Sequence, residues 1–200
     1  MPHGPHRSRV ARAAKSVAAA VAAAAALFTS AGCTRPASDP PPSGPAPAPL
    51  SPPPIAGNLL RLAAEPESWV LEQQYGTGRA TMSRDGDAIR VAVTRADGKY
   101  WHVQFYQVVK TLEEGKTYTL SFRAKANTVC DLPLVAAKNQ DDYHPVGLIE
   151  HALLTRDWKP FTYNFTVRGS VPGNSRVPVF MVGQKPATVW VSDVVLRERL

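Results

Sequence analysis

Cysteine is nearly absent: Cys33 and Cys130 are the only two in 200 residues. A disulfide-stapled mini-protein needs many more. Cys33 lies beside a proline-rich stretch with no partner held nearby, so Cys130 reads as a lone buried or half-buried thiol. Apolar side chains at sustained helical spacing are also missing from residue 55 onward, which argues against an α-helical domain. The longest apolar run, Ser16 to Phe28, falls short of the about 20 residues that a membrane-spanning helix needs. An excess of basic charge is present only at first sight. Of the net +7, Arg7, Arg9, Arg12 and Lys15 supply four, leaving 7 − 4 = +3 for the rest. That is an ordinary surface, and it argues against a nucleic-acid partner. With 44% hydrophobic residues the chain is not disordered throughout.

What the N-terminus does have is an address. A polar, basic stretch to Lys15 precedes the apolar run Ser16–Phe28, the n-region and h-region of an export signal. Thr29-Ser30-Ala31-Gly32-Cys33 follows and resembles a bacterial lipobox, in which the cysteine is lipidated and becomes the new N-terminus. Ser30 stands where that pattern favours leucine, so simple cleavage near Ala31 is the alternative. The sequence therefore predicts an export signal over 1–32, then a Pro/Ala-rich linker over 33–54. Ten of the 19 prolines fall between Arg35 and Pro54. Proline has a fixed φ and no N–H, so the linker is an extended spacer of about 60 Å at ~3.1 Å per residue. A membrane attached through the lipid on Cys33, with the protein in the cell envelope or at the cell surface, is the expected location; otherwise the protein is secreted.

Residues 55–200 read as one all-β domain. Ile89, Val91 and Val93 alternate with polar or small residues, and Tyr118, Leu120, Phe122 and Ala124 alternate with Thr119, Ser121, Arg123 and Lys125. Further strand-like runs are 101–109, 132–138, 147–154, 161–167, 177–182 and 189–196. Turn signals such as Asp85-Gly86, Asp97-Gly98, Glu114-Gly115 and Pro172-Gly173-Asn174 separate them. Short strands at this spacing predict a jelly-roll β-sandwich of two antiparallel sheets. Pro133 predicts an edge position for the strand that contains it.

Several segments occur together in an informative order. They are Asn58-Leu59-Leu60, Trp69, Asp87 to Val91, Trp101-His102-Val103-Gln104 with Gln107, the string Gly115-Lys-Thr-Tyr-Thr-Leu-Ser-Phe-Arg-Ala-Lys-Ala126, Leu154 to Trp158, and Val189 to Leu196. In this order the chain resembles carbohydrate-binding modules of the family 4/9 type. The resemblance implies a concave sheet face that binds β-glucan, xylan or a related polysaccharide, in a module often attached to glycoside hydrolases.

The residues themselves suit a sugar, whose ring offers an apolar C–H face and a fringe of hydroxyls. Trp101 with Gln104, and Tyr143 near Asn139, Gln140 and His144, combine flat aromatics with amide and imidazole groups. His102, Gln104 and Tyr106 share one face of a strand whose other face carries Val103 and Phe105. On an ideal strand Trp101 and Gln104 point opposite ways, so either a bulge joins them or one of them is structural. The resemblance places both at cleft positions and implies a stacking role for Tyr143. Trp69, Trp158 and Trp190 read as packing residues. The resemblance also implies a structural calcium with Asp193 as a ligand, with Glu65 or Glu67 substituting for the acidic residue that the family has near the N-terminal strand. Catalysis has no motif to carry it: Glu113-Glu114 and Asp141-Asp142 are adjacent pairs, which cannot flank a glycosidic bond from two sides. The reading is a monomeric, exported, non-catalytic polysaccharide binder. Its alternatives are an envelope scaffold or protein-interaction sandwich and, less favoured, a glycoside hydrolase component.

Overall fold

A computed structural model describes residues 57–199 apart from Gln74 and Thr111. The expected export signal, Cys33 and the expected linker lie outside the described residues. Ten strands are present: β1 (Val70–Glu72), β2 (Arg79–Asp85), β3 (Ala88–Arg95), β4 (Gln104–Lys110), β5 (Thr117–Ala126), β6 (Cys130–Lys138), β7 (Pro145–Leu154), β8 (Lys159–Thr166), β9 (Asn174–Met181) and β10 (Ala187–Glu198). They form two five-stranded sheets, β1-β4-β9-β6-β7 and β2-β3-β10-β5-β8. Every strand pairing is antiparallel. This is the expected jelly-roll sandwich. Strands β1 and β2 escaped the sequence reading because the first is only three residues long and the second is mostly exposed, so neither shows a clean alternation.

The core lies between the sheets. In β5 every second residue from Tyr118 to Ala126 is buried, which is what a sheet with one solvated face produces. Phe122 of that strand meets Phe180 of the opposite sheet edge-on at 5.0 Å, and Phe180 packs on Phe105 at 5.0 Å. Trp69 is buried against the same two phenylalanines, in the packing role expected for it. Cys130 is the free, buried thiol anticipated from its isolation, and burial pushes its pKa up.

Strand β6 is not at an edge. It pairs with β7 on one side and β9 on the other. Pro133 is tolerated there because pairing with β9 begins only at Leu134, where the missing N–H is no longer needed. In β6 and β9 the burial does not alternate: Leu132 to Ala137 and Ser175 to Phe180 are buried without interruption. Both faces of these two strands are therefore shielded, one packed into the core and the other at the bottom of a depression on the outside of the sheet.

Candidate functional site

The outer face of β1-β4-β9-β6-β7 carries a cavity of about 490 Å³. Its floor is Val135 and Ala137 of β6 with Val179 and Met181 of β9, which pack with Tyr106 into an apolar cluster separate from the core. Loops raise the ends. Tyr75 and Trp101 close one end, with ring centroids 5.5 Å apart, and Tyr143 and Asp141 stand at the other. Gln104 pairs with Met181 at one end of β9 and Lys138 with Ser175 at the other, so the aromatic ends are separated along that strand. At ~3.3 Å per residue this is about 15–20 Å, room for a short run of pyranose rings.

Trp101 and Gln104 do come together, but by neither route considered from the sequence. Residues Tyr100–His102 form a turn of 3-10 helix, and β4 starts only at Gln104. The turn is held by the Gly183 N–H donating to the Tyr100 carbonyl at 2.9 Å, and a side chain at Gly183 would collide with the Lys99 and Tyr100 carbonyls. Trp101 is left 46% exposed at the rim. The same turn corrects the expected polar face, because His102 precedes the strand. Its ring lies edge-on to Trp101 at 4.1 Å and pairs through Nδ1 with Asp97 Oδ2 at 2.6 Å.

Arg176 is the centre of the site, and the sequence reading missed it. In β9 the register shifts against both β4 and β6 between Arg176 and Val179. Val177 and Phe180 consequently face the core while Arg176 and Val179 face the cavity. The guanidinium is sandwiched between the rings of Tyr106 at 4.3 Å and Tyr143 at 4.0 Å. Its Nη1 donates to Glu72 Oε2 at 2.8 Å and its Nε to Asn139 Oδ1 at 2.6 Å. Glu72 also accepts from the Tyr106 hydroxyl at 2.9 Å and from Gln104 Nε2 at 3.2 Å. Burial first, and then the bond to Glu72, push the Tyr106 pKa up, so the phenol stays a donor. Five side chains from β1, β4, β9 and the β6–β7 loop are thus fixed by one satisfied polar network.

The remaining predicted residues divide. Tyr106 is buried beneath Arg176 and offers no ring face to the cavity. Asn139 orients Arg176 and does not line the cavity. His144 is exposed and contributes its carbonyl to the Lys138 N–H. Tyr143 sits in the left-handed region at φ 44, with one face against Arg176. Tyr75, Glu72 and Arg176 had no pattern to mark them, and Asp141 stood out only as one of an adjacent acidic pair. The apolar floor did: the uninterrupted runs 132–137 and 177–182 signal strands buried on both faces.

Trp190 is on β10 of the other sheet and Trp158 just precedes β8 of that sheet, and their rings are occupied by their own cations. Lys125 Nζ lies 5.1 Å from each ring centroid, with Arg123 over Trp158 at 5.6 Å and Arg90 over Trp190 at 5.8 Å. The Trp190 indole N–H donates to Asp85 at 2.8 Å.

The side chains around Asp193 do not by themselves make up the shell of the implied calcium. Asp193 is an exposed residue at the β10 irregularity, 3.7 Å from Arg123, and no group of three or more His, Cys, Asp or Glu gathers among the described residues. At that irregularity the Val194 carbonyl already accepts from Asn58 Nδ2. Calcium needs six to eight oxygens, more than the two carboxylates of Glu65 and Asp193 hold. Addition of EDTA is expected to leave the melting temperature unchanged; a drop of several degrees, reversed by calcium, would contradict this.

Asp97 gives a testable acid response. The His102 hydrogen bond, and then the Thr77 N–H, lower its pKa from 3.8 to about 2. A depressed carboxylate stabilises the fold fully above its unfolded value and loses that contribution as pH falls through the folded one. The window therefore runs from about pH 4 down to about pH 2. Wild type should lose more melting temperature between pH 5 and pH 2.5 than Asp97→Asn does, and equal losses would refute the assignment.

Comparison with known proteins agrees with this geometry. Residues 65–187 match the sequence profile of a family described as a carbohydrate binding domain, of the 4/9 type. A solved carbohydrate-binding module of family 4 superposes with a TM-score of 0.59 at 25% identity, covering 72% of this chain and 97% of that one. The N-terminal cellulose-binding domain of Cellulomonas fimi beta-1,4-glucanase C gives a TM-score of 0.54 at 25% identity, over 69% and 93% of the two chains. The second such domain of that enzyme gives 0.52 at 24%, over 72% and 95%. No curated protein matches the sequence.

Proposed function

Because the chain belongs to the family of carbohydrate-binding domains of the 4/9 type, we propose that it holds a polysaccharide in the cleft of β1-β4-β9-β6-β7 without cleaving it. The observation that carries this reading is the composition of the cleft. An apolar floor of Val135, Ala137, Val179 and Met181 lies between aromatic ends, with Gln104 and Arg176 beside it. Pyranose C–H faces stack on the rings while hydroxyls meet the amide and guanidinium. Glu72 is committed to three donors, which supports a binding role over an acid–base one. The ligand is a β-glucan or xylan; the relative named for binding cellulose supports the former. A shallow groove that must strip water from hydroxyls binds modestly, with Kd of about 10 μM to 1 mM.

The protein is a monomer exported through residues 1–32 and lipidated on Cys33, with 33–54 as the tether that carries the domain away from the membrane. Affinity gels containing laminarin, xylan or mixed-linkage glucan, with amorphous cellulose pull-down, test the binding. Retention on at least one is expected, and a folded protein retained on none would overturn it. For the anchor, Cys33→Ser should move the protein from the membrane fraction to the soluble one; an unchanged distribution would refute lipidation.

A further inference from the structure

Three short segments meet at the Trp101 end of the cleft, and a single carboxylate joins them. Asp97 Oδ2 accepts from the Thr77 N–H at 2.9 Å and pairs with His102 Nδ1 at 2.6 Å, and Oδ1 accepts from the Lys99 N–H at 3.4 Å. Thr77 belongs to the β1–β2 loop that carries Tyr75, and His102 to the turn that carries Trp101. Between Tyr75 and Thr77 the chain passes Gly76 at φ +72, where a Cβ would overlap both His102 Nδ1 and Asp97 Oδ2. Gly78, two residues further on, leaves no room for a side chain beside Val103. The loop is thus pressed flat against the imidazole–carboxylate pair. Nearly half of Trp101 is exposed, so core packing does not hold its ring. Its aromatic neighbours among the described residues are His102 and Tyr75.

We infer that Asp97 and His102 form a latch that sets the angle of the Tyr75–Trp101 wall, making Asp97 a positioning residue for glycan binding although it does not line the cleft. The inference rests on the proposed binding role of that wall. Its physical basis is that a sugar ring gains from an aromatic face only when the ring waits at the right tilt; a ring free to swing must be ordered on binding, at a cost in affinity. The carboxylate fixes both members at once, Tyr75 through Thr77 and Trp101 through His102. Neither outer-loop ring is then left to rotate independently.

The test uses the whole protein and three variants, Asp97→Ala, Asp97→Asn and Gly76→Ala. The last strikes the latch from the opposite loop. Two readouts are taken. The Trp101 indole N–H signal, identified by its loss in Trp101→Ala, reports the wall with no ligand present. Retardation on gels containing laminarin, xylan or mixed-linkage glucan reports binding. Asp97→Ala and Gly76→Ala are expected to shift or broaden the Trp101 signal while those of Trp69, Trp158 and Trp190 stay in place, and to weaken retention about tenfold. Asp97→Asn keeps one acceptor oxygen, enough for the Thr77 or the Lys99 amide but not both, and should fall between these and wild type. A Trp101 signal unmoved in both Asp97→Ala and Gly76→Ala would overturn the latch. A moved signal with wild-type retention would overturn its role in binding. Wild type retained on no gel would overturn the glycan reading instead, and the Trp101 signal would still decide whether the latch exists.

Discussion

Truncating Arg176 to alanine should lower the stability of the domain by about 3–5 kcal/mol, the loss typical when one partner of a buried ion pair is removed. The side chains of Arg176 and Glu72 are only 9% and 8% exposed. Without the guanidinium, Glu72 keeps a charge with two neutral donors, Tyr106 and Gln104, and no counter-ion. Two aromatic rings also lose the cation between them. Denaturant unfolding measures the effect, and a loss under about 1 kcal/mol, the scale of a surface pair, would show the network to be ornamental. Exchanging both partners in Glu72→Gln/Arg176→Met removes the uncompensated charge. The double variant should therefore recover part of the loss, with the coupling read from the complete cycle.

Trp101→Ala should weaken glycan binding by about 30-fold, the equivalent of about 2 kcal/mol for a hot-spot aromatic, while leaving the melting temperature within a few degrees of wild type. The separation follows from placement. Trp101 stands on a 3-10 turn at the rim and is half exposed, so its removal opens no core cavity. Trp69→Ala should show the reverse, a large loss of stability, because its ring is buried against Phe105 and Phe180. Comparable effects of Trp101→Ala on folding and binding would place its ring in the scaffold and leave Tyr75 alone at that end of the cleft.

These two predictions mark where the sequence was legible. Strands with one solvated face, such as β5, announce themselves by alternation. Trp69 could be assigned to packing, and Trp101, Gln104 and Tyr143 fall at the cleft. Other features depended on departures from regular geometry. The 3-10 turn at 100–102 gathers Trp101 with Gln104, and the β9 register shift brings Arg176 onto the face of Val179; a reading based on period two cannot foresee either. Tyr106, Asn139 and His102 had the right chemistry but serve the cleft from behind, one under Arg176, one orienting it and one in the turn. Pro133 suggested an edge because proline breaks a ladder, yet in β6 the ladder to β9 stops just before it. Asp193 was marked by its place in the last strand, and its side-chain neighbours in the structure are Arg123 and Ser192.

The claim on which the rest depends is that the ligand lies on the outer face of β1-β4-β9-β6-β7. Titration of the isotopically labelled protein with soluble laminarin or xylan oligosaccharides, followed by two-dimensional NMR, tests it residue by residue. The account predicts that signals of Gln104, Val135, Tyr143, Arg176, Val179 and the Trp101 indole move together with one dissociation constant, while those of Lys125, Trp158 and Trp190 on the other sheet do not. Shifts confined to the Trp158 and Trp190 face, or a protein that binds with the cleft signals unmoved, would contradict it.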